Sequence, residues 1–236
     1  MKIFFDVDTQ NDFMSSRGKL YVPGSEKILT NLLDLTRFGT AWNIPIMGSV
    51  DRHFGTSEYK DREEELTKWG GDFPDHCMDE TYGQRKILDT LIITPRLERM
   101  KIPGIYIPHR LDSKVISEED LTRTREEIKN IEKGELLNKP EGIYFEKQSY
   151  DVFTNPATEF VLKDTSVKEA VVYGIATDYC IKAAVLGMQS RGIQCYVVKD
   201  AINGIEKKTI KQAIKQMKKA GAKFIKTKDV MGCRIV

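Results

Sequence analysis

Asp8, Lys147 and Cys180 are an acid, a base and a thiol, and each stands where an apolar, strand-like segment gives way to a turn. The segments are Lys2-Ile-Phe-Phe-Asp-Val-Asp8, Gly142-Ile-Tyr-Phe-Glu-Lys147 and Ala170-Val-Val-Tyr-Gly174-Ile-Ala-Thr-Asp-Tyr-Cys180. In open parallel sheets, ligands bind outside the carboxyl ends of the strands. Gathered at one such rim, these three groups would make a thiol nucleophile with its own proton carrier. Asp51-Arg-His53 follows another apolar run, Pro45 to Val50, and His76 lies further on. An Asp-x-His pair at a strand exit, completed by a remote His, offers three protein ligands and leaves positions open for water or substrate. Taken alone, Asp-x-His reads equally as a hydrogen-bonded pair on a turn.

Each of these residues also has a plainer reading. A lone cysteine at a strand–helix junction is more often a small buried hydrophobe than a nucleophile. A lysine among Tyr144, Phe145 and Tyr150 is ordinarily one that lays its stem on apolar surface and keeps its ammonium in water. Asp6 and Asp8 both interrupt an apolar strand, and Asp8 is nearer the rim. Asp12 closes the same turn and is expected to fix it by hydrogen bonds. Cys195 sits mid-strand and reads as core, and Cys233 has no acid or base beside it. Cys77 adjoins His76, where a small core residue is the commoner role.

The elements that must position these groups alternate strand and helix. Residues 2–8, 45–50, 169–173, 193–198 and 222–226 read as strands. Ile28, Leu32, Leu33 and Leu35 have helical spacing over 24–38. A helix runs from Cys180 through Ala183, Ala184, Leu186 and Met188 and stops near Gly192. A basic amphipathic helix spans 207–220 and ends at Gly221. Repeated βα units predict an α/β, Rossmann-like three-layer fold, with a mostly parallel sheet and helices on both faces.

At 236 residues the chain is expected to be one domain, 1–236, with an enlarged insertion at about 84–141. That stretch holds the apolar run Ile87 to Ile93, a strand-like Gly104 to Ile107, and a charged helix opened at Ser117 and running to about Lys133. Charged residues are 31%, hydrophobic residues 40%, and the net charge is +2, which excludes an electrostatic case for nucleic acid. No apolar run approaches the roughly 20 residues that span a bilayer. A cytoplasmic protein with free thiols is expected, with no membrane partner and with self-association.

Together, Asp8-Thr-Gln-Asn-Asp12-Phe13, Asp51-Arg-His53, Phe73-Pro-Asp-His76-Cys77, Lys147 and Gly174-Ile-Ala-Thr-Asp-Tyr-Cys180 resemble the isochorismatase-like cysteine hydrolase superfamily, and within it the nicotinamidases. Order and approximate spacing match over most of the chain, and 84–141 is longer than the family pattern. The resemblance implies a catalytic triad of Asp8, Lys147 and Cys180. It implies a divalent metal, zinc before iron or manganese, on Asp51, His53 and His76. It implies a cis peptide between Ile175 and Ala176, with backbone amides of Ala176 and Cys180 as an oxyanion hole. Substrate contacts fall to Phe13, Phe73 and Tyr179, with Phe73 where the family often has Trp. A further acidic ligand is expected among Glu58, Glu63, Glu64 and Glu65, with no basis for choosing.

The activity so implied is hydrolysis of nicotinamide to nicotinate and ammonia through a thioester. Lys147 and a helix N-terminus are expected to favour the thiolate of Cys180. The alternatives are another small carboxamide, ureido or carbamoyl substrate, a closed structural metal module that includes Cys77, and a thiol redox sensor at Cys180.

Overall fold

A computed structural model describes residues 1–92, 105–107 and 142–232. Among the described residues, seven strands form one sheet: β1 (Lys2–Val7), β2 (Ile46–Asp51), β3 (Ile105–Ile107), β4 (Ile143–Lys147), β5 (Glu169–Ile175), β6 (Gln194–Asn203) and β7 (Lys223–Ile225). Their order is β3-β4-β2-β1-β5-β6-β7, and every pairing is parallel. The expected mostly parallel sheet is therefore wholly parallel among the described strands. Such a sheet needs cover on both faces, which is why β1, β2 and β4 are buried almost without alternation.

Helices α1 (Asn11–Met14), α2 (Leu29–Ala41), α3 (Pro156–Asp164), α4 (Lys182–Ser190), α5 (Lys207–Lys219) and α6 (Thr227–Gly232) supply that cover. Leu32 and Leu35 of α2 and Val230 of α6 pack with Phe4, Ile46, Val171 and Tyr173 on one face. Val161 of α3, Val185 and Met188 of α4, and Ala213 and Met217 of α5 pack with Ile3, Phe5, Met47, Phe145 and Val172 on the other. Side chains of successive strand residues point to opposite faces, so Phe4 and Phe5 serve different layers.

Several element boundaries differ from the sequence reading. Residues 25–28 form a tight 3-10 turn before α2, and β6 continues to Asn203. Helix α3 has no counterpart in the sequence reading, yet its start is marked locally. Asn155 caps Ala157 N–H through its side chain, and Pro156 opens the helix, a cap followed by Pro at the first helical position. The expected insertion is partly integral to the fold. Ile87 and Ile92 lie in the core, and 105–107 is the edge strand; the helix expected at 117–133 lies outside the described residues. Among the described residues no helix is long and apolar enough to cross a membrane.

Candidate active site

The sheet's connectivity places the site. From β1 the chain goes to β2 on one side and later returns to β5 on the other. The carboxyl ends of β1 and β5 therefore flank a crevice at a topological switch point. Asp8 follows β1, Asp51 ends β2, Lys147 ends β4, and Cys180 lies in the turn after β5. Parallel register sets Asp51 directly beside Lys147. Gly174 has φ 118°, and a Cβ there would lie 2.1 Å from the Val7 carbonyl. Only glycine allows β5 this close to the strand that carries Asp8.

Lys147 is fully buried at the centre of the group. Its Nζ lies 2.9 Å from Asp8 Oδ2 and 3.6 Å from Cys180 Sγ. It also donates to Asp51 Oδ1. The plainer reading of a snorkelling lysine gives way to a buried ammonium shared between two carboxylates and a thiol. Ser49 Oγ donates to Asp8 Oδ1 at 2.7 Å. Gln10 holds Asp51 by its backbone, accepting from its N–H at 2.6 Å and donating to its carbonyl at 2.7 Å.

Burial in this pocket governs the proton affinities. Burial raises the Asp8 pKa, and Lys147 lowers it only in part, because Asp51 opposes a second negative charge. Burial also raises the Cys180 thiol well above its ordinary value, despite Lys147, with Asp8 and Asp51 adding to the rise. Lys147 favours the thiolate, as expected, while burial and the two carboxylates oppose it. The helix itself starts later than expected. Thr177–Ile181 is a π-helical turn, and α4 begins at Lys182. Asp51 behaves oppositely: burial is outweighed by Lys147 and by the His76 hydrogen bond, which hold it well below the usual carboxylate range. Lys147 is lifted well above a free lysine, because the attraction of Asp51 and Asp8 exceeds the cost of burial.

Beside this group, donor atoms of Asp51, His53, Glu65 and His76 all lie within 4.8 Å of one another. His53 is fully buried with neither ring nitrogen hydrogen-bonded. A buried polar group without a partner is costly, and a cation among these donors would supply the missing partner. The set of two imidazoles and two carboxylates fits a divalent metal. His76 Nδ1 is held by the Pro74 carbonyl at 2.7 Å, which leaves Nε2 facing Asp51 and Glu65 at 3.6 and 3.7 Å. This is the outer hydrogen bond that orients a metal-ligating histidine.

Of the four acids considered in sequence, Glu65 joins the cluster. Glu63 is buried but accepts from the amides of Phe54 and Gly55. Cys77 is outside the cluster, with its N–H on Asp12 Oδ2 at 2.7 Å and its thiol driven far up by burial. Asp12 thus ties its own turn to the Cys77 segment and, through Oδ1, to Lys19 N–H at 2.9 Å. Cys195 is core, its thiol pushed up to about 12 by burial. Cys233 lies outside the described residues.

A pocket opens over Cys180. Phe13, Phe73, Tyr179 and Ala176 line it with Asp51, Glu65 and His76, so all three expected ring contacts meet at one place. Phe73 stands edge-on to Tyr179 at 5.3 Å, and Phe13 lies 5.4 Å from the His76 ring. The Ile175–Ala176 peptide is cis. Sequence reasoning missed Gln10, Ser49 and the tie made by Asp178. Asp178 accepts from Ile205 and Glu206 N–H at 3.1 Å and from Thr209 Oγ1 at 2.6 Å, joining the Cys180 turn to the start of α5.

A parallel sheet among the described strands, with a thiol, an acid and a buried lysine at its switch point, is an arrangement that suits a cysteine nucleophile. The family model of the isochorismatase domain matches residues 122–229. The nicotinamidase of Saccharomyces cerevisiae is 24% identical over 218 residues, covering 85% of this chain and 87% of that protein. The fold is similar to that of a Pyrococcus horikoshii pyrazinamidase in complex with zinc, with TM-score 0.67, 21% identity, and coverage of 95% of this chain and 98% of that one. It is also similar to N-carbamoylsarcosine amidase from Thermoplasma acidophilum, with TM-score 0.61, 16% identity and 96% of each chain covered. The isochorismatase-domain match over residues 122–229 and the similarity to nicotinamidase and pyrazinamidase support an amidohydrolase of the isochorismatase-like kind.

Proposed function

We propose that this enzyme hydrolyses nicotinamide to nicotinate and ammonia through a thioester on Cys180. The observation that carries the reading is Lys147 Nζ set between Asp8 Oδ2 and Cys180 Sγ at 2.9 and 3.6 Å, under a cavity walled by aromatic rings. Phe13, Phe73 and Tyr179 fit a flat ring with a carboxamide directed at the thiol.

The chemistry follows from the proton positions. Cys180 starts as a thiol and gives its proton to Asp8 Oδ2 as sulfur bonds to the carboxamide carbon. The carbonyl electrons move to oxygen, where backbone amides of Ala176 and Cys180 serve as donors. When the oxyanion collapses, the C–N bond breaks and nitrogen takes the proton from Asp8, leaving as ammonia. Water then attacks the thioester and gives a proton to Asp8. The C–S bond breaks and the sulfur recovers its proton. Lys147 stays charged throughout and offsets negative charge on Asp8 and sulfur. A raised Asp8 pKa suits a group that must both take and return a proton.

A divalent ion held by Asp51, His53, Glu65 and His76, zinc in this reading, supplies positive charge and Lewis acidity at one end of the cavity. The enzyme is read as cytoplasmic and self-associating, within one domain. Ammonia release from nicotinamide by metal-replete protein tests the proposal. Release from an N-carbamoyl compound but not from nicotinamide would move the assignment to the carbamoyl substrates suggested by the Thermoplasma neighbour.

A further inference from the structure

We propose that Ser49 is a positioning residue that fixes the Asp8 carboxylate, so that Oδ2 faces Lys147 and Cys180. The inference rests on the reading of Asp8 as the proton carrier. Ser49 grips Asp8 at two points. Its hydroxyl donates to Asp8 Oδ1 at 2.7 Å, and its carbonyl accepts the Asp8 N–H at 3.0 Å. Both residues are fully buried. Ser49 is the one hydroxyl in Ile46-Met-Gly-Ser-Val-Asp51, and a hydroxyl is costly to bury in such a strand without a partner. Register explains the contact, since Ser49 pairs with Val7, and Asp8 comes next.

The grip matters because of what Asp8 faces. Lys147 from β4, Asp51 from β2 and Cys180 from the turn after β5 act on it electrostatically or by hydrogen bonding, and Asp8 in turn raises the Cys77 thiol from the loop following His76. The terminal torsion of an aspartate is broad and nearly two-fold, so it does not choose which oxygen faces the thiol. With Oδ1 occupied by Ser49, Oδ2 is left 2.9 Å from Lys147 Nζ, and the carboxylate as a whole is in contact with the Cys180 thiol. A proton leaving Cys180 then has one defined acceptor. Displacing a proton carrier by even an ångström is enough to slow such a transfer.

The test compares Ser49→Ala with Ser49→Thr, which keeps the hydroxyl. Metal content is measured in each, since Ser49 is two residues from Asp51. Ser49→Ala is expected to lower kcat for nicotinamide by roughly 10- to 100-fold, the scale of a lost hydrogen bond to a charged group, with KM unchanged. Ser49→Thr is expected to recover most of that loss. A kcat for Ser49→Ala within about twofold of the parent, or an effect confined to KM, overturns the proposal.

A second arm does not depend on the substrate. Iodoacetamide labelling of Cys180 at fixed pH should slow by a similar factor in Ser49→Ala. On an Asp8→Asn background the same substitution should change it no further, because Ser49 acts through Asp8. Equal labelling of parent and Ser49→Ala, or full additivity with Asp8→Asn, also overturns the proposal. If nicotinamide is not turned over by the parent while labelling follows this pattern, the substrate assignment fails and the role of Ser49 stands.

Discussion

Lys147→Met keeps most of the side-chain volume and removes the charge that two buried carboxylates share. Asp8 and Asp51 then stand buried without the ammonium as counter-ion. Breaking a buried pair by removing one partner costs about 3–5 kcal/mol. For a chain of this size, each kcal/mol shifts the melting temperature by about 2–4 °C, so a fall of about 6–20 °C is expected. Lys147 has its folded pKa raised, so its contribution is fully present below the unfolded lysine pKa and is lost only as pH rises through the folded value. At neutral pH the whole effect is therefore measurable.

The measurement is a denaturant midpoint in chelator, so that no cation substitutes for the ammonium. Adding Asp8→Asn should recover about 1–3 kcal/mol, because one of the two orphaned charges is removed. The loss should also shrink as pH falls and the carboxylates take up protons. A destabilisation below about 1 kcal/mol, or a double variant weaker than Lys147→Met alone, would refute the shared-ammonium picture.

Asp8→Asn by itself should abolish amide hydrolysis yet raise the unfolding midpoint of metal-free protein at neutral pH. A raised folded pKa means the contribution of Asp8 is favourable at low pH and lost as pH rises through that value; an unchanged or lower midpoint at pH 7 contradicts this sign. By the same shift, the acid limb of kcat/KM should lie above the ordinary aspartate range, read from a pH–rate profile. Glu65→Gln should weaken metal binding about 10- to 100-fold in a competition titration, whereas Glu64→Gln should not. Benzamide should show kcat/KM lower than nicotinamide by roughly 30- to 1000-fold if the ring nitrogen is read at the metal cluster, and equal turnover would remove that contact.

The candidate catalytic residues were legible because their surroundings contradict their types. Asp8, Lys147 and Cys180 end apolar segments that have no other use for an acid, an ammonium or a thiol. The βα rhythm followed from glycine stops and apolar spacing, and it fixed the sheet as parallel. What the sequence left open was decided by contacts between distant segments. Glu63, Glu64 and Glu65 are equivalent in composition, and only the folding of that loop onto the rim turns Glu65 toward His53 and His76 while Glu63 caps Phe54 and Gly55. Ser49 is an ordinary strand serine until register brings it against Asp8.

The balance of forces on the Cys180 proton was open for the same reason. The sequence shows that a lysine is available, but not that two carboxylates compete for it in a buried site. The sequence by itself determined which groups exist and at which strand ends they stand, since local pattern sets secondary structure. The tertiary structure decided which of them touch and which hold their protons, because register, burial and charge pairing act between strands far apart in the chain.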